Sequence, residues 1–109
     1  MVRNENILAL KEELDRLTKL VYYDELTEIF NRRGFLEEAE KAFQRISFSQ
    51  TPVERRIGMQ IPFSIIFIDL DDFKKINDDY SHNAGDLALK SVVAVLKKQL
   101  RSGDIFARW

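Results

Sequence analysis

The sequence predicts an α/β fold class, an incomplete sheet with flanking helices, and three observations carry that prediction. Residues 63–70 are almost continuously apolar, aromatic or β-branched, as a strand covered on both faces requires. Apolar residues recur at helical spacing on either side of that run. The last six residues alternate as a second strand would. The order is therefore helix, helix, strand, helix, strand, with the remaining strands of such a sheet expected outside these 109 residues.

Taken in order, Ile7, Leu10, Leu14, Leu17 and Val21 stand at alternating spacings of three and four, the a/d seam of a coiled coil over two heptads. Lys11, Glu12, Glu13, Asp15, Arg16 and Lys19 are its charged flanks. Residues 1–21 are thus either a short dimerising stalk or an amphipathic helix packed on its own domain. Residues 22–109 form the second unit. Phe35, Leu36, Ala39, Ala42, Phe43 and Ile46 place a helix at 32–46. Periodicity stops at 47–62, where Ser, Thr, Pro and Gly collect, so a loop is expected there. After the strand at 63–70 a short helix carries Phe73, Lys74, Ile76 and Asn77, and residues 81–85 break it. Asp86 is placed to cap a longer helix whose stripe is Leu89, Val92, Val93, Leu96 and Leu100, closed by Lys97, Lys98 and Arg101. Ser102 and Gly103 turn the chain into 104–109.

The totals exclude several classes of function. With 17 basic and 18 acidic residues the formal charge is -1, so no global field draws the chain to nucleic acid or an anionic membrane. The absence of cysteine removes disulfides and thiolate metal ligands and fits a reducing cytosol. No apolar run reaches spanning length and the N-terminus lacks the apolar core of a secretion signal, so the chain reads as soluble and cytoplasmic. A membrane or sensor segment can still precede Met1 in a longer parent.

Chemistry concentrates at the end of the apolar run. Asp69 and Asp71 put two carboxylates at the carboxyl end of the expected strand, where α/β sheets place ligands. Oxygen donors without Cys or a nearby His suit Mg²⁺ or Mn²⁺; the plainer reading is one helix cap and one solvated Asp. Lys74 and the amides of a helix start can hold polyphosphate, though such a Lys is also an ordinary solvated residue. Asn77 and Asp86 are surface or cap residues on most proteins. An Asp with an Asn can nevertheless match the donors and acceptor of guanine while rejecting adenine.

Residues 68–78 (IDLDDFKKIND) and 81–86 (SHNAGD) resemble the D-x-D-x-F-K-x-x-N-D and G-H-x-x-G-D motifs of GGDEF domains, the diguanylate cyclase family. Residues 24–33 (DELTEIFNRR) are similar to that family's D-x-L-T-x-x-x-N-R motif, and the resemblance covers about 20–109. It implies an intact parent that condenses two GTP into cyclic di-GMP and two pyrophosphates, as a homodimer. It implies Mg²⁺ or Mn²⁺ held by the Asp69 carboxylate and the Leu70 carbonyl, with Asp69 and Lys74 catalytic. Phosphates would meet the amides of Asp72 and Phe73 together with Lys74, and Asn77 and Asp86 would read the guanine. Asp71 is then a structural cap and His82 a structural turn residue. Arg101 and Asp104 match the R-x-x-D of the family's inhibitory product site, and an Arg fork with an Asp acceptor is chemically suited to guanine. Arg108 matches an arginine often found just before the signature.

Ser81 and Glu28 replace glycines usual in these motifs, and both departures are read as tolerable because neither residue supplies a ligand. After Trp109 the Gly-Gly-(Asp/Glu)-Glu-Phe signature should follow. Without its acidic ligand and its glycines the 109 residues are expected to be inactive alone. The alternatives are a receptor that binds cyclic di-GMP through Arg101 and Asp104, or a dimerisation stalk.

Overall fold

The structure, a computed structural model, describes residues 2–49, 51–58 and 63–109. Five helices account for most of them: α1 (Val2–Tyr22), α2 (Arg32–Ser49), α3 (Pro52–Arg56), α4 (Phe73–Asp79) and α5 (His82–Gln99). The expected α/β class does not hold, because the described residues contain no strand and no sheet. Their non-helical pairing is limited to two isolated bridges, Tyr23 with Phe30 (antiparallel) and Phe30 with Ala107 (parallel). Among the described residues, 63–70 take no part in the backbone hydrogen bonds made outside the helices. The physical reason is that apolar composition is a local signal whereas a strand exists only by pairing, and no described segment offers 63–70 a ladder. Ile66, Phe67 and Ile68 consequently stand 82%, 77% and 63% exposed. The second expected strand, 104–109, is reduced to the single bridge at Ala107.

The helices are where the periodicity places them, with informative differences at their ends. α1 carries the heptad positions, but Ile7, Leu10, Leu14 and Leu17 are all exposed, Leu10 most of all at 69%. The stripe is therefore not packed on the rest of the chain. Its solvated flank is laced by Arg16 on Glu13, 2.7 Å apart. α2 runs to Ser49, beyond the expected end at 46. Part of the expected loop 47–62 is the helix α3, which Thr51 and Glu54 start with a reciprocal capping box: Glu54 N–H donates to Thr51 Oγ1 (3.1 Å) and Thr51 N–H to Glu54 Oε2 (2.7 Å). Residues 50 and 59–62 of that loop lie outside the described residues.

Two cap assignments are corrected. α5 begins at His82, and its N-cap is Ser81, whose Oγ accepts from Ala84 N–H at 3.0 Å, so Asp86 lies inside the first turns and is not the cap. The serine at a position where glycine is usual thus has a structural task. At α4 the N-cap is Asp72, not Asp71, and it has left-handed backbone (φ 58°) with no side-chain capping bond.

Burial is sparse: Ile29 and Val93 are the buried hydrophobic residues among those described. The radius of gyration is 19.3 Å, against the roughly 13 Å of a compact 100-residue domain. Among the described residues, the helix pairs in contact are α4 with α5 and α1 with α2.

Candidate functional site

The candidate site begins at the open turn between residue 69 and α4. Asp69, Asp71, Asp72 and Lys74 are all exposed. Ile76 N–H reaches back to the carbonyl of Asp72 (3.1 Å), so the amides of Phe73 and Lys74 precede the first intrahelical donor. Asp72 gives these amides no side-chain cap. The left-handed Asp72 is a strained conformation for a residue with a Cβ, of the kind that persists where geometry is constrained by a site.

Further along, α4 packs on α5 and brings Asn77 against Gly85, which precedes Asp86 in the chain. Gly85 is buried, and a Cβ built on it would lie 2.7 Å from Asn77 Cγ and would overlap Asn77 Oδ1. Among the described residues, Asn77 Oδ1 is the buried side-chain polar atom that has no hydrogen-bond partner. Asp86, the next residue after Gly85, is exposed. One of the two expected base-reading residues thus packs against the residue that precedes the other. Gly85 was not among the residues expected at the site; its adjacency to Asp86 in the G-D pair is the signal that points to it.

Arg101 and Asp104 are joined, but through the backbone. Arg101 N–H donates to Asp104 Oδ2 (2.8 Å) and Asp104 N–H to the Arg101 carbonyl (3.0 Å), which closes the turn after α5. One carboxylate oxygen is used in that turn, and both residues are exposed.

The D-x-L-T-x-x-x-N-R motif builds a clasp. Asp24 Oδ2 accepts from the Thr27 hydroxyl (2.6 Å) and amide (2.9 Å), and Glu28 N–H closes onto the Asp24 carbonyl (2.8 Å). Burial works to raise the Asp24 pKa, but the Thr27 bonds and the Arg108 guanidinium, 3.3 Å from Oδ1, outweigh it and hold the carboxyl below its ordinary range. Asn31 Oδ1 caps α2 by accepting from Gly34 N–H (2.9 Å), while its Nδ2 donates to the Val21 carbonyl (2.8 Å) at the end of α1. A Cβ on Gly34 would run into the Tyr22 carbonyl oxygen, so the close approach of α1 and α2 requires glycine. Arg108 N–H donates to the Phe30 carbonyl (2.8 Å), which ties the C-terminal segment to the same clasp. Trp109 then meets Phe35 and Phe67 edge-on, at 5.7 and 6.0 Å, with Arg32 over its ring. Glu28 has φ 62°, so the glycine usual at that position is a conformational matter and the substitution is strained rather than neutral.

For a divalent cation, the Asp69 carboxylate and Leu70 carbonyl are hard oxygen donors of the correct kind. They fit part of a coordination shell, since no three His, Asp or Glu residues among those described converge on a common point. No helix of the described residues is long and apolar enough to cross a membrane.

The profile of the family described as "Diguanylate cyclase, GGDEF domain" matches residues 21–109. The probable diguanylate cyclase DgcT of Escherichia coli is 34% identical over 94 residues, which are 85% of this chain and 18% of that protein. The uncharacterized protein YtrP of Bacillus subtilis is 36% identical over 95 residues, 87% of this chain and 14% of its own length. The cyclic di-GMP phosphodiesterase NbdA of Pseudomonas aeruginosa is 33% identical over 110 residues, 97% of this chain and 13% of its own. The chain therefore spans less than a fifth of the length of these relatives.

Proposed function

The chain belongs to the GGDEF domain family of diguanylate cyclases, and from that premise we propose that the full-length protein condenses two molecules of GTP into cyclic di-GMP. Each 3′-hydroxyl oxygen forms a bond to the α-phosphorus of the other nucleotide, each α-phosphorus loses its bond to pyrophosphate, and two pyrophosphates and two protons leave. The observation that supports the reading is the packing of Asn77 on α4 against Gly85 of α5, the residue that precedes Asp86.

In this reading Asn77 and Asp86 bind the guanine edge, the amides of Asp72 and Phe73 take phosphate oxygens, and Lys74 places a cation against the triphosphate. Asp69 and the Leu70 carbonyl hold Mg²⁺ or Mn²⁺. When bound, that ion polarises the reacting phosphate and lowers the pKa of the attacking hydroxyl. The chain's own contribution is positioning, worth several powers of ten in rate when both reactants are held. Each subunit holds one GTP, so the reaction needs a homodimer, and the exposed heptad stripe of α1 supports a stalk that pairs two copies.

Incubation of the full-length protein with GTP and Mg²⁺ is expected to yield cyclic di-GMP; GTP binding without product would refute catalysis and leave recognition standing. The 109 residues contain no Gly-Gly-(Asp/Glu)-Glu-Phe run and are expected to form no product by themselves. A second reading, a cyclic di-GMP receptor or inhibitory site at Arg101 and Asp104, is supported by the turn that fixes the pair's spacing. Calorimetry with cyclic di-GMP on the wild type and Arg101→Ala decides it, and an unchanged affinity removes the site.

A further inference from the structure

The Asn77 amide occupies space that no residue but glycine leaves open at position 85, since any Cβ there overlaps Asn77 Oδ1. That oxygen is buried and without a partner, an arrangement that costs free energy and is retained where the side chain has another task. We propose that Gly85 is a positioning residue for base recognition, and that the niche left by its missing side chain fixes the Asn77 amide against the turn of α5 that carries Asp86. The inference rests on the guanine-reading assignment above and deepens it.

The argument is one of geometry. α4 is short and exposed on most of its surface, so little besides its contact with α5 restrains Asn77. With Gly85 buried directly against the amide, one end of Asn77 is stowed and the remaining hydrogen-bonding capacity is directed from a single place. Asp86 follows Gly85 on the same helical turn, so the backbone that makes the niche also carries the carboxylate. A methyl group at 85 evicts the amide, since the three atoms it would meet first all belong to Asn77. The consequence is selective: discrimination between purines falls, while the contribution of the triphosphate to binding stays.

The test is nucleotide titration of the full-length protein with GTP and with ATP, on the wild type, Gly85→Ala, Asn77→Ala and the double variant, with circular dichroism of each. Gly85→Ala is expected to lower the preference for GTP over ATP by roughly tenfold, the worth of about one hydrogen bond. Asn77→Ala is expected to lower it equally, and the double variant no further, because Gly85 acts only through Asn77. Equal weakening of GTP and ATP by Gly85→Ala, or losses that add in the double variant, would overturn the proposal. If Gly85→Ala loses helix content, removing the amide in the double variant must restore it, and failure to do so also overturns it. A wild type whose affinities for GTP and ATP are equal instead defeats the guanine-reading assignment itself.

Discussion

The clasp at residues 24–34 and the turn at 69–74 carry motifs of equal prominence in the sequence, yet their side chains are used in opposite ways. In the clasp, Asp24 accepts from Thr27 and pairs with Arg108, while Asn31 bonds the ends of α1 and α2. In the turn, Asp69, Asp71, Asp72 and Lys74 face solvent, and the N-cap makes no side-chain bond. Groups satisfied internally hold structure; the charged groups of the turn are exposed and add little to it. The comparison predicts that substitutions in the clasp change stability and that substitutions in the turn do not.

The largest effect is expected at Gly34. Gly34→Ala puts a methyl into the Tyr22 carbonyl oxygen, which is backbone and cannot rotate away, and should cost about 3 kcal/mol, read as a lower midpoint in urea. A neutral result would mean that α1 does not approach α2 as described. Asn31→Ala removes both the cap of α2 and the donor to Val21, for about 1–2 kcal/mol. Asn31→Asp keeps the acceptor and loses only the donor, so it should cost less than Asn31→Ala.

A smaller effect of opposite sign is expected at Glu28. Its left-handed backbone costs about 1–2 kcal/mol for a residue with a Cβ, and glycine recovers that less its own larger loss of chain entropy. Glu28→Gly should therefore stabilise the chain by about 0.5–1 kcal/mol. The acid limb sharpens the same region. Asp24 has a depressed pKa when folded, so its contribution is present above the ordinary Asp range and is lost as pH falls below it. Asp24→Asn should flatten that acid limb, which a series of midpoints against pH will reveal.

What was legible in the sequence follows a physical divide. The helices of 2–22, 32–49 and 82–99 were readable because α-helical bonds are local and the apolar period marks them directly. The sheet was not, because pairing is non-local: 63–70 has the composition of a covered strand and no described segment to pair with. Short-range chemistry was misplaced by a few residues where two candidates competed, as with Ser81 against Asp86 and Asp72 against Asp71. The capping box at Thr51 and Glu54, with Pro52 at the first helical position, was present in the sequence and marks α3, against the loop expected there. The family motifs were legible as residue types in order, but the fit of Gly85 to Asn77 depends on how α4 folds back on α5, which spacing does not encode.

The smallest stability effect should come from the turn, and it is the most discriminating. Lys74 and Asp69 are exposed, and no ion pair among the described residues involves either of them. Lys74→Ala and Asp69→Asn should each move the unfolding midpoint by no more than the equivalent of about 0.5 kcal/mol, as surface substitutions do. Their effect on the full-length protein's binding of GTP should be the reverse of the clasp's. Lys74→Ala removes a cation from the triphosphate and should weaken GTP more than guanosine, while Asp69→Asn should weaken the dependence of binding on Mg²⁺. If either variant instead destabilised the chain by as much as Asn31→Ala does, the turn would be part of the scaffold, and the division between a closed clasp and an open ligand site would fail.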